Sequence, residues 1–478
     1  MNRLHAERTQ ALLQLVRSVG QEHVLRHWET LTEKSRHALL QQLASIDFPL
    51  LARLYRDYIQ TQPATANGVL EPAEIVTLAH QHAHPAEAHA MLARGEAELR
   101  AGKVAALLVA GGQATRLGFA KPKGEYPIGP VSRKSLFQLH TEKLLALSKR
   151  YRATIPWYIM TSDANAGDTR DFFERHKFFG YAAEDIFFFA QEMAPALDEN
   201  GKLILDAPDH IFMNPNGHGG TLSALASSGA LTDMRRRGIE EVFYFQVDNV
   251  LLKMCDPLFL GYHLAANAEM SAKVCSKRDP YEKVGVIGNV RENGKSRLQV
   301  IEYSDMSNAD KEARHADGTL KYNAGSIAIH LFKTDFIERE VRDGRKLPWH
   351  VAHKQIPYLD ENGELVQPAK PNGYKFEMFI FDALSAAANV VVLEVERREE
   401  FSPVKNATGE DSPQTAQADW CALHAEWLTQ AGIAVARDAA GRPAACVEVS
   451  PLFALDADEL RRKVPSNLRI QNDLYLQS

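Results

Sequence analysis

The sequence predicts an α/β fold: a mixed, mainly parallel sheet flanked by helices. Three observations predict it. Short apolar runs recur at residues 104–110, 157–160, 242–247, 326–332 and 390–395. Stretches with helical spacing lie between several of them, such as residues 136–150 and 222–237. The first run stops abruptly at Gly111 and Gly112. A continuous apolar run of this length suits a strand buried on both faces, and strands alternating with helices build a largely parallel sheet.

Ahead of the first strand, Leu12, Leu13 and Val16, then Val24, Leu25, Trp28 and Leu31, then Leu39, Leu40 and Leu43 recur at spacings of three and four. That period predicts helices. A break is expected at residues 62–68, with more helix to about Arg100. His80, His82, His84 and His89 fall in this second stretch. With no Cys or carboxylate cluster completing a ligand set, they read as a solvated helix face and not as a metal site. Residues 284–290 and 298–303 read as an antiparallel insertion, and the chain from about Phe401 as a small module of short elements. The expected domains are a helical region at 1–100, a central α/β domain at 101–396 and a small C-terminal domain at 397–478.

The 478 residues are 45% hydrophobic and 24% charged, ordinary for a globular protein, with a formal charge of −6. A net acidic chain is poorly suited to neutralising a nucleic-acid backbone, so no nucleic-acid partner is expected. Four cysteines, Cys255, Cys275, Cys421 and Cys446, with no Cys-x-x-Cys pair, point to a reducing compartment and away from a disulfide scaffold. No apolar run follows the first residues and none approaches membrane-spanning length, so no signal peptide or membrane partner is expected and the cytoplasm is the expected location.

The turn after the first strand carries the chemistry. From Val109 and Ala110 it runs through Gly111, Gly112, Gln113, Ala114, Thr115, Arg116, Leu117 and Gly118 to Lys121, Pro122 and Lys123. Parallel sheets place ligands at the carboxyl edge of their strands. Gly111 and Gly112 permit positive φ and close backbone approach, consecutive N–H groups can cradle an anion, and Arg116, Lys121 and Lys123 supply charge for phosphates. The alternative is a plain turn with surface cations. The loop lacks the Gly-Lys-Ser/Thr of a P-loop and breaks the Gly-x-Gly-x-x-Gly pattern at Ala114.

Other residues fit the same picture less specifically. Asp248 ends the run 242–247, where a carboxylate is either a Mg²⁺ ligand or a turn residue. Gln191 follows three phenylalanines; its amide can donate and accept at a uracil edge, or be a polar loop residue. Gly217 and His218 lie in a second glycine-rich loop, 215–220. Glu302 and Tyr303 end a strand-like piece, and a carboxylate suits hexose hydroxyls.

Gly-Gly-x-x-Thr-Arg-Leu-Gly followed by Pro-Lys resembles the signature loop of the UDP-sugar pyrophosphorylases, most of all the eukaryotic-type UDP-N-acetylhexosamine enzymes. The likeness extends in order through residues 20–28, 156–162, 323–325, 370–373 and 401–407. It implies a Rossmann-like nucleotidyltransferase fold and Mg²⁺-dependent transfer of uridylate from UTP to a sugar 1-phosphate. N-acetylglucosamine or N-acetylgalactosamine 1-phosphate is the favoured acceptor. It also implies residue roles. Arg116, Lys123 and Lys405 would be catalytic. Val109, Ala110, Gly111, Gly112, Lys123, Gln191, Gly217, Asp248 and Lys375 would bind the nucleotide. His218, Glu302, Tyr303, Asn323 and Lys405 would bind the sugar, and Asp248 the metal. Two departures open alternatives. His218 stands where the N-acetylhexosamine enzymes usually carry Asn, and Gly-His-Gly resembles UDP-glucose and broad UDP-sugar pyrophosphorylases. Ala114 stands where a second Gly is usual; if φ there were positive, the methyl group would cost about 1–2 kcal/mol and leave a nucleotide-sugar binder with little catalysis. The expected partners are UTP and a sugar 1-phosphate, with monomer or homodimer undecided.

Overall fold

In the computed structural model, the described residues are 3–61, 68–292, 294–342 and 347–477. The break expected at 62–68 lies almost wholly outside them. The chain divides into two compact units: Met1–Asn67, Gln191–Gly220 and Leu347–Ile380 in one, and Gly68–Ala190, Thr221–Lys346 and Phe381–Ser478 in the other. The expected boundaries at 100 and 396 both fall inside the larger unit.

The larger unit is built on a ten-stranded sheet. Its strands are β1 (Val69–Pro72), β2 (Val104–Val109), β3 (Trp157–Thr161), β4 (Ile186–Ala190), β5 (Glu241–Gln246), β6 (Met270–Ser276), β7 (Val286–Glu292), β8 (Lys295–Ile301), β9 (Ala324–Lys333) and β10 (Val390–Glu394). The main path runs β1-β7-β9-β5-β2-β3-β4, with β8 beside β7 and with β6 between β9 and β10. β5, β2, β3 and β4 are mutually parallel, in register from Glu241 opposite Val104 and from Trp157 opposite both Ala106 and Ile186. Their carboxyl ends therefore emerge at one edge. β9 joins antiparallel, and β7 with β8 forms the expected hairpin. Val104, Ala106, Leu108, Trp157, Ile159, Phe243 and Phe245 are almost wholly buried in one core, which explains their unbroken apolar sequence.

The longer helices of this unit are α1 (Leu78–Ala83), α2 (Pro85–Arg100), α3 (Leu136–Tyr151), α4 (Ala166–Arg175), α5 (Thr221–Ser227), α6 (Ala230–Arg236), α7 (Pro257–Ala265), α8 (Thr334–Arg342), α9 (Pro413–Gln430) and, in its C-terminal stretch, α10 (Ala457–Lys463). α3 starts on the Ser135 side chain, which accepts from Gln138 N, and stops at Arg152 in the left-handed region. α2 belongs with the sheet because it packs on α7 backbone to backbone. A Cβ at Gly95 would stand 1.9 Å from the Pro257 carbonyl oxygen, and one at Gly261 would stand 1.8 Å from that of Met91.

The C-terminal stretch packs Leu428, Val447, Val449 and Leu460 together, with α9 opened by a Ser412–Thr415 capping box. Here one expectation fails. Cys421 on α9 and Cys446 form a disulfide with a Cα–Cα separation of 5.1 Å. The 24 residues between them hide a pairing that arises when α9 packs on the strand Val447–Val449.

The smaller unit joins the helices Arg3–Ser18, Glu33–Ser45 and Phe48–Leu54 to a three-stranded antiparallel sheet of Trp349–Lys354, Gly373–Met378 and Leu197–Asp198. Val16, Val24, Leu39, Leu43, Leu203 and Phe376 form its core. The middle stretch expected as helix is instead two 3₁₀ turns, Glu22–Leu25 and Trp28–Thr30. The stretch lies between Gly20, at φ 73°, and the Thr32 cap of the following helix, and it is broken at His27, whose φ −98° and ψ 3° are not helical.

Candidate active site

The loop after β2 is held open from behind. Asn165 Nδ2, at the start of α4, donates to the Ala110 carbonyl at 2.9 Å, and Ser162 Oγ donates to that of Gly111 at 2.9 Å. Lys123 N donates to the Gly112 carbonyl and Ala114 N to the Lys121 carbonyl, closing the loop on itself. With these carbonyls tied back, the amide N–H groups of Gly111, Gly112, Gln113, Thr115 and Arg116 donate to no protein acceptor among the described residues. Unpaired N–H groups in succession make an anion-binding concavity.

Two expectations about this loop change. Gly111 and Gly112 are not at positive φ; Gly118 is, at 68°. A Cβ on Gly112 would meet nothing within 4 Å, so this glycine leaves open space and is not demanded by the fold. Ala114 has φ −91° and is buried, so its methyl group carries no left-handed cost, and the motive for a catalytically weak binder falls away.

The charges lie where the strands end. Lys123 Nζ donates to Asp248 Oδ2 at 3.2 Å, both side chains being mostly buried. Asp248 follows β5. His140, on α3, donates its Nε2–H to the Val247 carbonyl at 3.0 Å. Burial first, then the Lys143 charge, pushes His140 down to about 3, so it is neutral here and braces the Asp248 backbone. The Asp248 carbonyl accepts from Val404 N at 3.0 Å, and the Asn249 side chain bonds Glu400 O and Ser402 N, bringing the segment of Lys405 to the same edge. Lys405 is half-exposed, 3.8 Å from Asp411. Arg116 is exposed with no hydrogen bond or ion pair to a described residue.

A second group of expected residues lies around β7 and β9. Asn323 Oδ1 accepts from Lys277 N at 2.8 Å, and Nδ2 donates to Ser276 Oγ at 3.1 Å, which in turn donates to Glu394. Glu302 sits one residue past β8, so close to Gly285 that a Cβ there would be 3.2 Å from its carboxylate. Tyr303 is exposed.

In the smaller unit, Gly217 takes φ 84°, and a Cβ there would stand 2.4 Å from the Met378 carbonyl oxygen. His218 Nδ1 accepts from Ile380 N at 3.1 Å, which puts the proton on Nε2, and the ring stacks on Phe379. Burial, then the nearby His350, pushes His218 down to about 4. Lys375 lies over the Phe212 ring, and burial, helped by Lys354, lowers its pKa. Gln191 is buried, and its amide makes no hydrogen bond with a described residue.

This arrangement has close relatives. The family model for UTP–glucose-1-phosphate uridylyltransferase matches residues 50–428. The chain belongs to this uridylyltransferase family. The human UDP-N-acetylhexosamine pyrophosphorylase-like protein 1 is 39% identical, with 92% of each chain covered. The UDP-N-acetylglucosamine pyrophosphorylase of Saccharomyces cerevisiae is 36% identical over 88% of this chain and 91% of its own. The crystal structure of the Trypanosoma brucei UDP-N-acetylglucosamine pyrophosphorylase superposes with a TM-score of 0.85 at 28% identity, covering 98% of both chains. As a member of the uridylyltransferase family, the chain is an enzyme, and its mixed sheet is the family's nucleotidyltransferase fold.

Sequence reasoning missed four supports in this enzyme: Ser162 and Asn165, His140 and Lys277. Lys277 alone had a readable signal, a cation at the carboxyl end of the apolar strand β6. Burial lowers its pKa. The others act through contacts with loops distant in sequence.

Proposed function

We propose that this enzyme joins UTP to a sugar 1-phosphate, preferring N-acetylglucosamine or N-acetylgalactosamine 1-phosphate, and releases pyrophosphate. One observation carries the reading: a row of unpaired backbone N–H groups at the carboxyl edge of β2, beside the Lys123–Asp248 pair. Such a cradle takes phosphates, and the neighbouring cation neutralises charge in the transition state.

A sugar phosphate oxygen attacks the α-phosphorus, the bond to the α–β bridging oxygen breaks, and pyrophosphate leaves with the electron pair. The nucleophile is already an anion, so the residues position and neutralise; none is needed as a base. Val109, Ala110, Gly111 and Gly112 bound the triphosphate. Gln191, Gly217 and Lys375 serve the nucleotide. Glu302, Tyr303, Asn323 and His218 serve the sugar, and Arg116, Lys123 and Lys405 serve the phosphates. Asp248 offers one hard, mostly buried carboxylate beside the cradle, a donor that suits Mg²⁺ when phosphates complete its shell. Mg²⁺ held there would supply charge stabilisation. Gly-His-Gly around His218 favours a second reading, with glucose or galactose 1-phosphate as acceptor.

The test is pyrophosphate release from purified protein, UTP and Mg²⁺ with a panel of sugar 1-phosphates. Fastest release with the N-acetylated sugars is expected. A glucose or galactose optimum selects the second reading, and no release with any sugar overturns both.

A further inference from the structure

The histidines between β1 and β2 are not simply a solvated face. α1 ends at Ala83 and α2 begins at Pro85, with His84 alone between them. This tight corner folds His80 of α1, the corner residue His84, and Glu87 of the first turn of α2 onto one another. One ligand atom from each lies within 4.8 Å of the other two. Glu87 is the carboxylate of the set, and it stands outside the histidine spacing.

His80 Nε2 is 3.1 Å from Glu87 Oε2. The His80 and His84 rings stack with centroids 4.3 Å apart, which keeps the two histidines together at the corner. His84 Nδ1 donates to the His80 carbonyl at 3.0 Å; a carbonyl can only accept, so the lone pair of His84 is on Nε2. A backbone acceptor that fixes the tautomer is the usual support of a metal-binding histidine. Tetrahedral zinc with bonds of about 2.0–2.1 Å needs ligand atoms about 3.3 Å apart. His80 and Glu87, 3.1 Å apart, stand close to that spacing, and the exposed His84 ring would pivot out of its stack on His80 to close the remainder.

We infer that His80, His84 and Glu87 form a surface site for a zinc-like divalent ion, separate from the catalytic residues, with water in the remaining position. Two imidazoles and a carboxylate suit Zn²⁺ and its neighbours better than Mg²⁺. The ion would clamp α1 to α2. α1 is in turn tied to the end of β10, where Leu78 N and Gln81 Nε2 donate to Glu394, so the clamp would stiffen the corner that carries β10.

The experiment is calorimetric titration of the full chain, without a histidine tag, with ZnCl₂ after chelator treatment and with excess MgCl₂ present throughout. One Zn²⁺ per chain is expected, with Kd on the order of 10 μM or tighter, accompanied by a rise in Tm. His80→Ala and His84→Ala should weaken binding at least about tenfold and abolish the Tm rise, and Glu87→Gln should weaken it less. His82→Ala and His89→Ala should leave both readouts unchanged. Weaker binding by the parent chain, or unchanged binding in folded His84→Ala, overturns the site.

Discussion

The two glycine-rich loops read alike in sequence but differ in why they need glycine. In the loop after β2, Gly112 has ordinary backbone angles and a Cβ there would meet nothing. In the second loop, Gly217 lies in the left-handed region with the Met378 carbonyl pressed against it. The first glycine leaves open space in front of it; the second is required by the protein itself. Glycine richness alone therefore does not identify a ligand loop. What sets the first apart is its row of N–H groups without a protein acceptor among the described residues.

The contrast is sharpest at Lys123, the charged partner of the first loop. Lys123→Ala should lower turnover at least a hundredfold, about 3 kcal/mol of barrier, while far-UV circular dichroism and Tm stay near the parent. Near-normal turnover on the best sugar phosphate would remove Lys123 from the mechanism.

Gly217→Ala should act on stability. The left-handed backbone costs about 1–2 kcal/mol, and the clash with Met378 adds to it, for a total loss of about 3 kcal/mol in denaturant unfolding. A stable Gly217→Ala protein would mean that this loop can relax.

Gly112→Ala should do the reverse. UTP binding should weaken about tenfold, near 1.4 kcal/mol, with unfolding unchanged. Unchanged kinetics would show that the space over Gly112 is not used.

The smallest effect is on pH. His218 has its pKa lowered from 6.5 to about 4, so between those values the unfolded chain binds a proton that the folded chain refuses. Its contribution to stability is whole above pH 6.5 and falls as pH drops through that window, by about 1 kcal/mol per pH unit. His218→Asn removes the titration while keeping an acceptor for Ile380 N, so the Tm-against-pH slope from 6.5 to 4.5 should flatten. His140, in the larger unit, is lowered to about 3 and keeps a residual slope in the variant.

Some of this was legible before folding. The strands β2, β3 and β5 were readable because burial on both faces demands unbroken apolar residues. The loop after β2 was readable because a strand's end, two glycines and three cations occur together in the chain. Asp248 was readable by its place at the end of β5. Its pairing with Lys123 was not, because 125 residues separate them and only parallel register brings β2 and β5 side by side.

The sequence by itself determined the fold class and the chemistry on offer: unbroken apolar runs of strand length, loops that end them, and cations and a carboxylate at those ends. Tertiary structure alone decided which groups meet. It tied the carbonyls of Ala110 and Gly111 to Asn165 and Ser162, joined Cys421 to Cys446, and folded Glu87 onto His80. The physical reason is range. Hydrophobic period and turn chemistry are local properties of a chain, whereas hydrogen bonds, disulfides and ligand sets join residues that only packing brings together.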